Sequence, residues 1–278
     1  MKEYTYQWNH EEEEPVLKIT KSSYGSFKWC PKKYEFSYIE RLPQDTTDAM
    51  IKGTVVHNTR EDFFNTFDVQ KAESMSYDEL VQYNIGLHPV DDYGDIYATM
   101  SSFEDARQKD QLQDYLPVIN EIMLDAEITI PHDTNSKFIL LRDYTVHLQG
   151  IIDRMFRQGD NYIPIELKTG PWKDYKLTTM RAEMSFYKLL MDNATDEELR
   201  NKGIERQEIT HWGWYYPVSN YIQVEPVKKT SINAVKKGIA QLLYSYERNA
   251  FPEKYYYKTC NFCSFKPLCP AAQEAEFI

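Results

Sequence analysis

Apolar and polar residues alternate with two different periods along this chain, and the periods divide it into helical and extended segments. Apolar residues at every third or fourth position predict amphipathic helices, whereas strict alternation predicts strands. The predicted helices are 22–38 (with a bend at Pro31), 54–67, 77–83, 102–116, 179–193 and 231–249. The predicted strands are 124–130, 137–141, the two runs that flank 159–160, 209–217 and 221–227.

This order of elements predicts an α/β fold with a central mixed β-sheet flanked by helices. We expect a single domain over 18–278, preceded by a flexible acidic segment over 1–17. The stretch 68–123 is interpreted as a helical insertion beside the sheet, and 255–272 as a cysteine-containing region near the C-terminus.

The most informative pattern is a predicted hairpin over 144–170. Gly159 and Asp160 form a two-residue turn with glycine first, which favours a type II′ turn. With that turn, Asp153 lies opposite Glu166, and opposed residues project from the same face of the sheet. Lys168 is two residues beyond Glu166, so the alternation of a strand places it on this face too.

The polar face of this hairpin is consistent with either a metal site or an ordinary exposed surface. Two carboxylates at this separation suit a hard cation such as Mg²⁺ or Mn²⁺. A neighbouring lysine can orient or deprotonate a water, or neutralise charge that develops on a phosphoryl oxygen. Asp, Glu and Lys also pair across exposed hairpins without further function, and a bulge would shift the register. His57, near the start of the predicted helix 54–67, is a third candidate ligand.

The four cysteines of the chain form a second pattern. Cys260, Cys263 and Cys269 follow the spacing C-x2-C-x5-C, and Cys30 lies 230 residues upstream of the first of them. A site with four thiolates suits zinc or an iron–sulfur cluster, and the spacing does not decide between the two. Four unrelated buried cysteines are the alternative.

The net charge of −11 argues at first against a nucleic-acid partner. Counted by segment, however, 18–41 carries a net charge of +4 and 228–266 carries +6, so the remainder carries −21. A shared cysteine site would bring the two basic segments side by side, and a nucleic-acid backbone needs a positive surface of this kind. Basic residues on solvated helix faces are the alternative.

The sequence also predicts where the protein is found. It contains no run of about 20 apolar residues that would predict a membrane span. The first residues lack the basic start and apolar stretch of a secretion signal. We therefore expect a cytoplasmic protein, in the host cytoplasm if the source is a virus.

Several short motifs, in this order, resemble those of the PD-(D/E)XK nuclease superfamily, in its RecB-like branch. They are G-x-x-x-H at 53–57, G-x-x-D at 150–153, E-x-K at 166–168, and a helix with Glu183 and Tyr187. One cysteine before this core and three after it resemble the iron–sulfur exonucleases of that branch, such as the CRISPR-adaptation exonucleases and the nuclease domain of AddB. The resemblance spans about 21–272, and the motif order together with the cysteine frame makes it specific.

The resemblance implies a restriction-endonuclease-like core and a metal-dependent deoxyribonuclease, an exonuclease acting on DNA ends or single strands. It implies a Mg²⁺ or Mn²⁺ site, a structural [4Fe–4S] cluster and a protein partner in a recombination, replication or CRISPR-adaptation complex. The residues that it assigns are His57, Asp153, Glu166 and the backbone carbonyl of Leu167 to the metal, Lys168 and Tyr187 to catalysis, Cys30, Cys260, Cys263 and Cys269 to the cluster, and Lys28, Lys32, Lys33, Glu183 and Tyr187 to DNA binding.

Glu183 departs from the family pattern, because the helix motif usually has Gln at this position. A glutamate cannot donate an amide hydrogen bond and would repel a nearby phosphate, although it could serve as an extra metal ligand. Three other functions remain open from the sequence: a non-catalytic DNA-binding or assembly subunit, a nuclease in which zinc replaces the cluster, and a nuclease that acts on RNA. The sequence does not determine the oligomeric state.

Overall fold

The computed structural model describes residues 17–109, 116–256 and 260–275. Its strands form one mixed sheet, as predicted, so the α/β class is confirmed. The strands are β1 (Leu17–Thr20), β2 (Ile119–Ile130), β3 (Tyr144–Gln158), β4 (Asn161–Leu167), β5 (His211–Tyr216) and β6 (Tyr221–Pro226). The predicted flexible segment 1–17 lies outside the described residues, except that its last residue, Leu17, begins β1.

Helices cover both faces of this sheet. They are α1 (Lys21–Trp29), α2 (Pro31–Tyr34, continued by a π-turn over Glu35–Ile39), α3 (Asp48–Thr66), α4 (Val69–Glu73), α5 (Tyr77–Gly86), α6 (Gly94–Lys109), α7 (Leu177–Asn193), α8 (Asp196–Asn201), α9 (Lys229–Glu247) and α10 (Pro270–Ala275). The main core lies between the sheet and α1, α7 and α9. A smaller core packs α3 and α6 against Leu167 and Tyr215 on the other face.

The long strand β3 organises the sheet. Along one edge it pairs antiparallel with β2. Along its other edge, residues 146–149 pair parallel with β1, and residues 154–158 pair antiparallel with β4. Residues 150–153, the G-x-x-D segment, lie between these two pairings. The strands β1 and β4 therefore part at this segment, and we call the opening between them the fork.

Helix α1 begins at the fork. Thr20 ends β1 and also caps α1, since its hydroxyl accepts a hydrogen bond from the backbone nitrogen of Ser23 at 3.0 Å. The Ser23 hydroxyl accepts one in return from the backbone nitrogen of Thr20 at 2.9 Å. This capping box satisfies donors that the start of a helix leaves unpaired. It fixes Lys21, the first helical residue, beside the fork.

Gly150 sets the distance between β3 and α7. A β-carbon at this position would lie 2.8 Å from Cδ1 of Leu190 and 3.6 Å from Cε1 of Phe186. Both of these α7 side chains are fully buried in the main core. The glycine of the G-x-x-D segment therefore allows close packing of the strand against the helix, since a methyl group there would force the buried Leu190 side chain to shift.

Replacing Gly150 with alanine should destabilise the protein by about 1–3 kcal/mol, because the added methyl group overpacks the core. Urea-induced unfolding followed by circular dichroism measures this change. Gly25→Ala is the matched control: a β-carbon there meets nothing within 4 Å, and alanine favours the helix by up to about 1 kcal/mol. A Gly150→Ala protein as stable as the parent would contradict the packing argument.

Several predicted boundaries differ from the structure. Helix α3 begins at Asp48 rather than at 54, because Thr47 caps it by accepting a hydrogen bond from the backbone nitrogen of Met50. Helix α6 begins at Gly94 rather than at 102, and residues 110–115 of that prediction lie outside the described residues. Helix α7 begins two residues before 179 and has no side-chain cap. Strand β2 begins at Ile119, inside the predicted insertion 68–123.

The predicted strand 137–141 is wrong. These residues form a loop, although Phe138 packs on Tyr244 and Leu140 is buried. The backbone of the loop is satisfied by side chains, since the amide of Leu141 donates to Glu247 Oε1 at 2.7 Å. The apolar run therefore reflects packing against α9 rather than pairing in the sheet.

The described residues include no helix that is both long enough and apolar enough to cross a bilayer.

Candidate active site

The hairpin of β3 and β4 has the predicted turn and register. Gly159 supplies the positive φ, 59°, that the turn requires. Arg154 pairs with Ile165, and continuing this register by one position places Asp153 opposite Glu166. Both carboxylates are buried, with exposed fractions of 6% and 2%.

The carboxylate of Asp153 is tied to the end of β4. The backbone nitrogen of Leu167 donates a hydrogen bond to Asp153 Oδ2 at 3.0 Å. Burial, together with the nearby negative charge of Glu166, raises the pKa of Asp153. A further positive charge beside Asp153, such as a bound cation, would lower this pKa and favour the ionised carboxylate.

Glu166 accepts hydrogen bonds from three side chains. Its Oε1 accepts from Lys168 Nζ at 2.6 Å and from Lys21 Nζ at 2.8 Å, and its Oε2 accepts from the hydroxyl of Tyr187 at 2.5 Å. Burial alone would raise the pKa of Glu166, but the two ammonium groups hold it well below its usual range. Glu166 is therefore ionised at neutral pH.

Lys168, the predicted catalytic lysine, bridges two carboxylates. Its Nζ lies 2.6 Å from Glu166 Oε1 and 2.8 Å from Glu183 Oε2. Burial would lower the pKa of Lys168, yet these two carboxylates raise it above its usual value. In this arrangement Lys168 is protonated at neutral pH, which fits a fixed positive charge better than a general base.

Lys21 is a residue at this site that the sequence analysis did not identify. Its Nζ lies 2.8 Å from Glu166 Oε1, 2.5 Å from the hydroxyl of Tyr187 and 3.8 Å from Glu183 Oε2. Its ammonium also lies 4.6 Å from the centroid of the Tyr187 ring. Lys21 and Glu166 are 145 residues apart in the chain, so no local spacing signals this contact.

Helix α7 turns Glu183 and Tyr187 toward the site, one helical turn apart, as predicted. Tyr187 is fully buried, and burial raises its pKa, so its hydroxyl remains a donor to Glu166. It therefore holds Glu166 in place and is not exposed to a nucleic acid. Glu183 binds both lysines of the site.

Helix α3 brings His57 to the other side of Asp153. Its Nδ1 lies 4.0 Å from Asp153 Oδ2 and 3.4 Å from Oε1 of Glu121, a second residue that the sequence analysis missed. Glu121 has a φ of 53°, a conformation that costs a residue with a side chain roughly 1–2 kcal/mol. Arg154 Nη1 lies 3.7 Å from the same Glu121 oxygen. The only sequence signal was a charged residue beside the apolar run of β2.

As the side chains stand, no group of three or more His, Cys, Asp and Glu residues within the described ranges is arranged to hold a metal ion. At this site the Oε1 atom of Glu166 accepts hydrogen bonds from the ammonium groups of Lys21 and Lys168.

The model of the PD-(D/E)XK nuclease superfamily matches residues 18–270 of this chain. The chain belongs to this superfamily. Among solved structures, it is similar to the crystal structure of SSO0001, with 14% identity, coverage of 95% of this chain and 89% of that chain, and a TM-score of 0.41. It is also similar to a "Putative exonuclease" from Eubacterium rectale, with 9% identity, coverage of 92% and 87%, and a TM-score of 0.45.

Two grooves of this PD-(D/E)XK protein meet at Lys21. The first, which we call the acidic groove, has a volume of about 610 Å³. The second, the basic groove, has a volume of about 620 Å³. Side chains that line the acidic groove include Lys21, His57, Glu121 and Asp153. Side chains that line the basic groove include Lys21, Lys28, Trp29, Lys168, Glu183 and Lys254.

The three lysines predicted to bind DNA have different surroundings. Lys28 lines the basic groove. Lys32 pairs with Glu35, and Lys33 lies over the ring of Trp29, 4.5 Å from its centroid. Of these three lysines, Lys28 therefore lies in the groove that the site residues Lys21 and Lys168 also line.

The four cysteines gather around one small pocket, which we call the cysteine pocket. Cys30, Cys260, Cys263 and Cys269 all line it, and each is a free thiol. Burial raises the pKa of Cys263, although the nearby Lys33 acts in the opposite direction. The N-terminal and C-terminal cysteines thus line one pocket, although among the described residues they are not arranged as a group that could hold a metal ion.

Proposed function

We propose that this superfamily member is a divalent-metal-dependent nuclease that hydrolyses phosphodiester bonds in DNA. The observation that carries the proposal is the meeting of Asp153, Glu166 and Lys168 beside the fork, where a groove opens on each side. Burying two carboxylates beside a lysine costs folding free energy through the loss of their hydration. Clusters of this kind are concentrated at functional sites.

The donor set beside the fork fits Mg²⁺ or Mn²⁺. The proposed ligands are the carboxylates of Asp153 and Glu166, the imidazole of His57 and the backbone carbonyl of Leu167. Oxygen donors with one imidazole suit Mn²⁺ well and Mg²⁺ adequately. When bound, such a cation supplies a water of lowered pKa and stabilises charge on a phosphoryl oxygen.

The protein's own groups have separate tasks in this proposal. Lys168 keeps a positive charge where negative charge develops on the phosphate, and stabilisation of this kind is often the largest single contribution to catalysis. Tyr187 holds Glu166 through its 2.5 Å hydrogen bond. Glu183 fixes the Lys168 ammonium from the helix side, at 2.8 Å.

Cleavage of end-labelled oligonucleotides by the full chain tests the proposal. We expect cleavage of DNA with Mg²⁺ or Mn²⁺ and none with EDTA. Single-stranded, double-stranded and RNA substrates, each labelled at either end, give the substrate class and the polarity. DNA binding without cleavage under all of these conditions would overturn the proposal in favour of a non-catalytic subunit, and cleavage of RNA alone would overturn the choice of DNA.

We further propose that a single strand runs along the basic groove. Lys254 Nζ lies 3.5 Å from the backbone oxygen of Lys28, and burial together with the charge of Lys254 lowers the pKa of Lys28. A phosphate bound beside the two lysines would pair with both positive charges and offset their repulsion. Trp29 and Tyr256 line the same groove and offer aromatic surface for bases.

The double variant Lys28→Ala/Lys254→Ala should bind single-stranded DNA about tenfold or more weakly at low salt. The slope of log affinity against log salt concentration should become shallower by about 1 for each phosphate contact that is lost. Fluorescence anisotropy with EDTA present measures binding without cleavage. The control is Lys71→Ala/Lys202→Ala, which removes two exposed lysines. Equal affinities of the two double variants would argue against this path.

For the cysteine pocket we propose a structural [4Fe–4S] cluster, with zinc as the alternative. The support is the convergence of four free thiols from both ends of the chain on one pocket, in a protein whose described residues show no disulfide. Thiolates are the ligands that both groups prefer. Closing the thiols around either group requires only that cysteines already lining one pocket move together.

A further inference from the structure

We propose that Lys21 is an exchangeable counter-ion: it holds Glu166 while the site has no divalent cation, and it gives up that position when a cation binds. This inference rests on the proposed function and deepens it. Lys21 is a positioning residue in this account, since it acts through Glu166 rather than on the substrate.

The contacts of Lys21 match the requirements of a substitute cation. Its ammonium lies 2.8 Å from Glu166 Oε1 and 3.8 Å from Glu183 Oε2, and 2.5 Å from the hydroxyl of Tyr187. The side chain is 19% exposed, so the charge is largely shielded from water. Without it, the carboxylates of Glu166 and Glu183 would have Lys168 as their one ammonium partner among the described residues.

Lys21, rather than Lys168, lies on the side where the cation must bind. Both lysines donate to the same oxygen, Glu166 Oε1. Lys21 lines the acidic groove together with Asp153 and His57, two of the other proposed ligands, whereas Lys168 lines only the basic groove of the two. A cation shared by Asp153 and Glu166 therefore competes with Lys21 for the same oxygen.

Glu183 is a second carboxylate that contacts both lysines of the site. Its carboxylate lies 2.8 Å from Lys168 Nζ and 3.8 Å from Lys21 Nζ, so it adds a negative charge to the site beside those of Asp153 and Glu166. Lys21 is close enough to Glu183 to offset that charge. The two residues should consequently behave as a pair, and replacing both should cost less than the sum of the single changes.

The test measures Mn²⁺ affinity without nucleic acid, by electron paramagnetic resonance of free Mn²⁺. Lys21→Met should bind Mn²⁺ at least about tenfold more tightly at low salt, because a competing positive charge is removed. Lys21→Arg keeps the charge and should stay near the parent value. Lys21→Met/Glu183→Gln restores the net charge of the site and should return most of the way to the parent. Lys18→Met, the control, removes a lysine of β1 that lines neither groove, and should change the affinity less than about twofold.

Thermal unfolding provides a second readout. In EDTA, Lys21→Met should melt several degrees below the parent, and saturating Mn²⁺ should remove most of that difference, because the cation replaces the missing charge. If Lys21→Met does not fold, Lys21→Gln carries the same expectations. Unchanged or weaker Mn²⁺ affinity in a folded variant would overturn the inference.

The outcome for the parent protein separates this inference from the proposed function. If the parent cleaves DNA with Mn²⁺ but Lys21→Met has unchanged Mn²⁺ affinity, only the counter-ion role of Lys21 is rejected. If the parent neither cleaves DNA nor binds Mn²⁺, both the counter-ion role and the proposed nuclease function are rejected.

Discussion

Replacing Lys168 with methionine should reduce the rate of DNA cleavage by about 10²–10³-fold while the protein remains folded. The ammonium of Lys168 is held 2.6 Å from Glu166 and 2.8 Å from Glu183, so it is positioned before the reaction begins. Removal of one preorganised donor from a site of this kind costs a factor of that size. Single-turnover cleavage of an end-labelled strand at saturating Mg²⁺ measures the change, and circular dichroism checks the fold.

A matched control for this prediction lies on α7. Lys188 pairs with Asp192 one helical turn away, at 2.5 Å, and does not contact the carboxylates of the site. The two side chains are 14% and 46% exposed, and an ion pair one turn apart on a helix contributes only about 0.3–0.5 kcal/mol, so Lys188→Met should cleave at the rate of the parent. If a folded Lys168→Met protein cleaves as fast as Lys188→Met, the assignment of Lys168 fails.

The second large effect is expected at the cysteine pocket. Protein purified without oxygen should be brown, absorb broadly near about 400 nm and contain about four iron atoms per chain. Cys263→Ser should lose this colour and iron. Because a structural cluster contributes directly to folding, the variant should also melt about 10 °C or more below the parent.

Ser264→Ala is the control for Cys263→Ser, since it changes the neighbouring residue without removing a thiol. It should keep both colour and melting temperature. A colourless parent with one equivalent of zinc would show that zinc occupies the pocket. A parent without either metal, and as stable as Cys263→Ser, would remove the structural role that we assign to the four cysteines.

The hairpin was predictable because its geometry is local. A two-residue turn fixes which residues face each other, and the alternation of a strand then fixes their side. The pairing of Arg154 with Ile165 confirms that register. The predicted faces also hold, since Leu167 packs in the smaller core while its neighbour Glu166 contacts Tyr187 of α7.

The contacts that the sequence did not reveal depend on the tertiary fold. Lys21 meets Glu166 because β1 pairs with β3 and ends in a capping box, and none of this leaves a short-range pattern. Glu121 was hidden because the strand that carries it begins earlier than its apolar run. The false strand 137–141 is the converse case, in which an apolar run is explained by packing against a helix.

The fork in the sheet has a mechanical consequence. Within the described residues, backbone pairings link β1 to β3 and β4 to β3, but none links β1 to β4. The two halves of the candidate site, Lys21 on one arm and Glu166 with Lys168 on the other, therefore meet each other directly through side chains, while β3 holds both arms. Exchanging one of these side chains would remove ion pairs across the fork without removing a rung of the sheet. The electrostatics of the site can therefore be tuned separately from the hydrogen-bonded scaffold that carries it.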